Sequence, residues 1–247
     1  YPLREPVRIA GARSLAIRGQ GAASVITAAG TAFQIEGAAG LAIEQLSVLS
    51  LGAQSAITAR TVAGLKLAGL ALLVLGTNDG NGAAIGLQGL CAGVAIRDNL
   101  IVAPDGIRSE RGANDRVALV LTAALQVRDN VLWCRRRGVS LEGTVGHLFG
   151  HRIEDNEVLG CRDGGIAALG VALPGASMRV TGNTLNVNGP GIECGVDGAW
   201  IEGNKLNATR QGERAPTGSA IVLARGLDPT GSDQARSKRV KPMDSIW

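Results

Sequence analysis

Phe, Trp and Tyr together supply only 2% of the 247 residues. The core must therefore be aliphatic, and few aromatic platforms remain for stacking on sugars. There are two histidines, His147 and His151, with no acidic partner at a spacing that can be placed, so both read as surface or turn residues. The four cysteines, Cys91, Cys134, Cys161 and Cys194, form no CxxC or CxxH group, which argues against a zinc site or a disulfide framework and for small buried thiols. No stretch of 18 apolar residues runs uninterrupted, so no membrane span is expected. A strong charge of either sign is missing too. The net charge is +4, of which residues 232–247 hold +2 (Arg236, Lys238, Arg239 and Lys241 against Asp233 and Asp244), leaving +2 for the remainder. Nucleic acid is therefore not an expected partner.

What the chain has is glycine, 36 residues of it, and one short phrase written five times. The phrase reads Ala95-Ile96-Arg97-Asp98-Asn99, Gln126-Val127-Arg128-Asp129-Asn130, Arg152-Ile153-Glu154-Asp155-Asn156, Arg179-Val180-Thr181-Gly182-Asn183 and Trp200-Ile201-Glu202-Gly203-Asn204. Its asparagines are 31, 26, 27 and 21 residues apart. A period in this range, constant in phrase and variable in length, predicts stacked coils with loops of unequal size. Ile96, Val127, Ile153, Val180 and Ile201 share one register with polar or small neighbours, the two-residue period of a strand. Two positions past each Asn comes a second apolar residue (Ile101, Leu132, Val158, Leu185, Leu206). A third apolar unit follows a glycine: Gly106-Ile107, Gly138-Val139, Gly165-Ile166 and Gly191-Ile192, with Ala220-Ile221 as the last variant. Each coil thus holds about three short strands. Equivalent strands must pair in parallel, and such crossovers are right-handed. The expected fold is all-β, a single right-handed parallel β-helix.

Ile17, Ile43, Leu67, Ile96, Val127, Ile153, Val180 and Ile201 mark about eight coils, a rod roughly 35–40 Å long at about 4.8 Å per coil. Asn99, Asn130, Asn156, Asn183 and Asn204 are expected to stack as a partial ladder, since Asn tolerates turn conformations and bonds to its counterpart above and below. The second and third coils carry Leu46 and Leu70 there, so the ladder starts at the fourth. Residues 1–13, with Pro2 and Pro6, are expected to cap the rod, residues 14–231 to form it, and residues 232–247 to be a basic tail or linker. Gly19-Gln20-Gly21 reads as a β-helix turn rather than a phosphate loop, because no helical pattern follows. Thr77-Asn78-Asp79-Gly80-Asn81-Gly82 has one carboxylate, too few for calcium, and reads as a turn. Asn207-Ala208-Thr209 matches a glycosylation acceptor, a tripeptide that also occurs by chance. The outward column Arg97, Arg128, Glu154, Thr181, Glu202 reads as a solvated face, with Arg128 beside Glu154.

The repeat, apolar-x-apolar-x-[Asp or Gly]-Asn-x-apolar followed by Gly-Ile, resembles that of the pectin-lyase-like superfamily over residues 15–223. The resemblance implies the fold. It leaves function open among polysaccharide lyases, glycoside hydrolases, epimerases, phage tailspikes and surface adhesins. Aligning coils on the Gly-Ile marker brings Asp105, Arg137 and Gly164 to one level, with Arg135, Arg136, Arg162 and Asp163 around it and Arg108, Glu110 and Glu193 just beyond. Lyases of this fold resemble such a setting, with an Arg or Lys as base and acidic residues holding calcium against a uronate. On that reading Arg136, Arg137 and Glu193 are the catalytic candidates, and Asp105, Arg108, Glu110, Arg135, Arg162 and Asp163 the substrate-binding ones. Calcium is implied only there; otherwise neither metal nor cofactor is expected. Carboxylates alternating with arginines are also what charge-compensated stacking of turns produces. The favoured expectation is a non-catalytic stalk, spike or binding scaffold in a bacterial or phage surface assembly, with a polysaccharide or other protein subunits as partners. The alternative is an enzyme acting on an acidic polysaccharide.

Overall fold

A computed structural model describes residues 1–52, 55–75, 82–109, 121–142, 149–169, 177–195, 198–208 and 220–223. These residues form 25 strands, all paired in parallel, and one short 3-10 turn at Gly21–Ala23. The fold is a parallel β-helix with three faces. Among the described residues no helix is long and apolar enough to cross a membrane.

The first face stacks eight strands, from Ala16–Arg18 to Ala199–Glu202, and its inward residues run Ile17, Ile43, Leu67, Ile96, Val127, Ile153, Val180, Ile201 in one register. Eight stacked strands enclose seven full turns. The second face carries Ile26, Val48, Leu72, Ile101, Leu132, Val158, Leu185 and Leu206 inward. The third stacks Phe33, Ile57, Ile85, Ile107, Val139, Ile166, Ile192 and Ile221. Ile96, Val127, Ile153 and Val180 are fully buried, as the alternation requires. Residues 1–13 contain two rungs of the solenoid itself: Pro2–Leu3 pairs with Val25–Ala28, and Val7–Ala10 with Phe33–Glu36.

Between the first and second faces runs the asparagine ladder. The Nδ2 of Asn99, Asn130, Asn156 and Asn183 donates to the Oδ1 of the next asparagine at 2.8, 2.9, 2.9 and 2.9 Å, ending on Asn204. That same Oδ1 accepts the backbone N–H of the preceding asparagine at 3.0–3.1 Å. The ladder begins at Leu70, whose N–H donates to Asn99 Oδ1 at 2.9 Å. The Nδ2 groups of Asn130, Asn156 and Asn183 also reach the carbonyls of Ile96, Val127 and Ile153 one coil back. The left-handed conformation of this turn falls on the residue before the asparagine. Asp98, Asp129, Asp155, Gly182 and Gly203 have φ of 57°, 54°, 55°, 68° and 65°. This explains why that position alternates between Asp and Gly, two residues that enter the left-handed region most readily.

On the first face's outer surface the column Arg97, Arg128, Glu154, Thr181, Glu202 is in register. The expected Arg128–Glu154 neighbours do not form the ion pair, however. Arg128 turns to Asp129 (3.0 Å) and Asp155 (3.5 Å), because the left-handed turn residues project their carboxylates beside it. Earlier in the same column Glu44 is buried between Arg18 (2.7 Å) and Lys66 (2.5 Å). Hydrogen bonds from Lys66 first, and then from Arg18, lower its pKa from 4.5 to about 2.

Two outcomes follow. Asn130→Ala removes one amide from a chain of five and leaves Asn99 Nδ2, the Asn99 N–H and Asn156 Oδ1 short of partners. It is expected to cost about 1–3 kcal/mol in urea unfolding; an unchanged midpoint would remove the ladder from the account. Glu44, with its pKa depressed in the folded chain, contributes stability that is present above about pH 4.5 and is lost as pH falls towards 2. Thermal melts from pH 6 to 2 should therefore fall more steeply for the wild type than for Glu44→Gln, and parallel curves would contradict this.

Candidate functional site

The corner between the second and third faces exists because two long strands, Leu100–Ser109 and Val131–Glu142, run straight through it and bend. Their pairing shifts register between Ala103 and Asp105. The glycine of the Gly-Ile marker sits at this bend for lack of space. A Cβ on Gly106, Gly138, Gly165 or Gly191 would lie 2.3–2.8 Å from the carbonyl oxygen of the equivalent residue one coil on. Stacked glycines let the coils close at the corner and hold the residues just before them at fixed levels.

Asp105 aligns with Arg137, and Arg137 with Gly164, as the marker predicted. The Asp105 carboxylate is 2% exposed and thickly contacted. Arg136 grips it with two nitrogens, Nε to Oδ1 at 3.1 Å and Nη2 to Oδ2. Arg108 Nη1 donates to Oδ2 at 3.0 Å, and the Arg137 backbone N–H to Oδ1 at 3.3 Å. A buried carboxylate needs this company, since desolvating it alone would be prohibitive. The hydrogen bonds to Asp105 raise the Arg136 guanidinium above its usual range.

One coil on, Arg162 and Asp163 receive the chain through backbone bonds to the carbonyls of Arg135 and Arg136, both 3.0 Å. Their side chains pair with each other, Nε to Oδ1 at 2.8 Å, which lowers the Asp163 carboxyl and raises the Arg162 guanidinium. Arg137 Nη2 lies 3.5 Å from Glu193 Oε2, within ion-pair range but without hydrogen-bond alignment to that oxygen. Arg108 and Glu193 share one column, separated by Ser140 and Ala167 and hence by three coils, about 14 Å. Arg135 is exposed. Glu110 lies outside the described residues, as do His147, residues 77–81 of the calcium-like loop, Thr209 and the basic tail.

The structure therefore brings Asp105, Arg108, Arg136 and Arg137 together, sets the Arg162–Asp163 pair beside them, and places Glu193 against Arg137. Among the described residues no three His, Cys, Asp or Glu side chains converge as metal ligands do.

Two polar residues depart from expectation. His151 is buried, with Nε2 3.0 Å from Thr122 Oγ1 and Nδ1 accepting the Leu125 N–H at 3.4 Å. It is a satisfied interior residue rather than a surface one, because the strand Phe149–Glu154 carries it inward beside Ile153. The signal was present in the phrase: His151 stands two residues before an inward isoleucine. Cys134 and Cys161 are buried and unbridged, with the Cys161 thiol and burial pushing the Cys134 thiol well up.

Fold and corner together define a parallel β-solenoid with an arginine-rich edge. No family model, curated protein or solved structure matches the chain.

Removing the Asp105 charge should separate a buried ion cluster from an exposed one. Asp105→Asn leaves Arg108 and Arg136 crowded without a counter-charge. It is expected to cost about 2–3 kcal/mol, below the 3–5 of a fully buried pair since both arginines are about a quarter exposed. Asp163→Asn, at a pair with a well-exposed arginine, should cost clearly less. Equal losses in chemical denaturation would contradict the ranking.

Proposed function

We propose that the chain is a non-catalytic β-helix of the pectin-lyase-like kind, serving as a rigid stalk, spike or binding scaffold in a bacterial or phage surface assembly. One observation carries this reading: each described carboxylate at the arginine-rich corner is matched with an arginine. Asp105 is held by Arg136 and Arg108, Asp163 by Arg162, and Glu193 by Arg137. Such pairing stabilises stacked corners and competes with the roles that glycosidase carboxylates or a calcium site would need. The partners on this reading are other subunits of the assembly, or a polysaccharide held without turnover.

A second reading, a carbohydrate-active enzyme working on an acidic polysaccharide, draws on the charge of the same corner. Among the described residues, Arg108, Arg135, Arg136, Arg137 and Arg162 outnumber Asp105, Asp163 and Glu193 by five to three, a local +2 that suits a polyanion. As a lyase it would use Arg136 or Arg137 as base near Glu193, with calcium offsetting the uronate.

Incubation with polyuronates and calcium separates the two. The expected result is no ultraviolet absorbance from unsaturated sugar ends. Turnover that vanishes in an Arg136→Ala, Arg137→Ala variant that still gives the circular dichroism of the fold would overturn the non-catalytic reading.

A further inference from the structure

The second face has an outer surface of an unusual kind. In a solenoid strand that faces water, outward positions are polar, and the first face obeys this with Arg97, Arg128, Glu154 and Glu202. The second face does not. Its outward register reads Thr27, Leu49, Leu73, Val102, Trp133, Leu159 in successive coils, then Asn186 and Asn207. The parallel outward column two residues earlier includes Ala71, Leu100 and Val131 before it reaches Glu157. The strands are accordingly written as continuous apolar runs, Leu70-Ala71-Leu72-Leu73-Val74-Leu75 and Leu100-Ile101-Val102-Ala103, the pattern of parallel strands covered on both sides. Among the described residues only one side is covered. Leu51, Leu73, Leu75, Leu100, Val131 and Trp133 are 36–63% exposed.

We propose that this face is an interface between two copies of the chain, packed second face to second face about a two-fold axis. Area, charge and shape select that occupant. At roughly 200 Å² for a fully exposed large side chain, the six residues present on the order of 600 Å² of apolar surface. Two such faces bury about 1,200 Å², the lower end of specific protein interfaces, before Leu49, Val102 and Leu159 are added. No charged side chain stands in either column between Leu49 and Trp133 or between Ser47 and Val131. Superposing the patch on itself therefore sets no like charges together, whereas a charged partner or a polyanion would find nothing to pair with. A row of parallel strands offers a surface that can stack on its twin at the usual sheet spacing of about 10 Å. Glu157 and then Lys205 in one column, and Asn186 and Asn207 in the other, limit the contact to the middle coils. This inference stands on the apolar face alone and holds whether the corner is catalytic or not.

Sedimentation velocity of the whole chain, from about 1 to 100 µM, tests it. The expected wild-type species at the upper concentrations has twice the 25.2 kDa chain mass. Leu73→Lys combined with Trp133→Lys should raise the dimer dissociation constant at least tenfold, with the circular dichroism of the fold retained because both side chains point outward. Leu73→Thr with Trp133→Thr, which keeps strand preference, covers the case in which the lysines impair folding and should shift the same way. A wild-type monomer throughout the range, a polydisperse series of larger species, or a dimer as tight in a folded double variant as in the wild type would each overturn the proposal.

Discussion

The rod depends on one recurring demand: an amide group buried at a turn must find partners in the coils above and below it. Asn99, Asn130, Asn156 and Asn183 are at most 2% exposed, so an unmatched amide there would cost as much as a typical deletion of a hydrogen bond in a core. The solution is mutual. Each Oδ1 takes the Nδ2 and the backbone N–H of one neighbour, while its own Nδ2 serves the next. Register then becomes an all-or-none property. A slip by one residue would break the amide contacts and turn Ile96, Val127, Ile153 and Val180 from the core to solvent. The aliphatic columns supply most of the burial; the amides decide which alignment of those columns is used.

At the corner between the second and third faces the constraint is spatial. Stacked glycines bring the backbones within a distance that no Cβ could share. Long strands can then bend without an intervening loop, and their charged residues arrive in tiers. Asp105 is buried there and takes Arg136 and Arg108 as its counter-charges, while Arg137 continues to Glu193. The corner is thus built from ion pairs closed across coils, and what it offers outward is the surplus of guanidinium groups.

Much of this was legible in the chain because it repeats. The Ile and Asn periods and the Gly-Ile marker located the three strand columns of the later coils, and the marker placed Asp105 level with Arg137. Repetition could not reveal how side chains choose partners at a bend. Arg135, Arg136 and Arg137 are consecutive, yet one is exposed, one grips Asp105 and one reaches Glu193, since the bend turns each in a different direction. Glu44 was hidden because its partners Arg18 and Lys66 lie in coils without the asparagine phrase. Which residue of the turn is left-handed was not legible, as Asp and Asn share turn preferences and only the backbone angles separate them. The apolar outer face was visible as unbroken hydrophobic runs, but a run alone does not say which side of a strand lacks a cover.

Hydrogen exchange of the unmodified protein reaches the central claim, that buried amides hold the coils in one register. The backbone N–H groups of Asn99, Asn130, Asn156 and Asn183 donate to side-chain oxygens at a turn, where amides ordinarily exchange fast. The account predicts that these four exchange only on global unfolding, as slowly as the amides of core strands. Exchange of these amides at the rate of exposed turns, with the strands still protected, would contradict it.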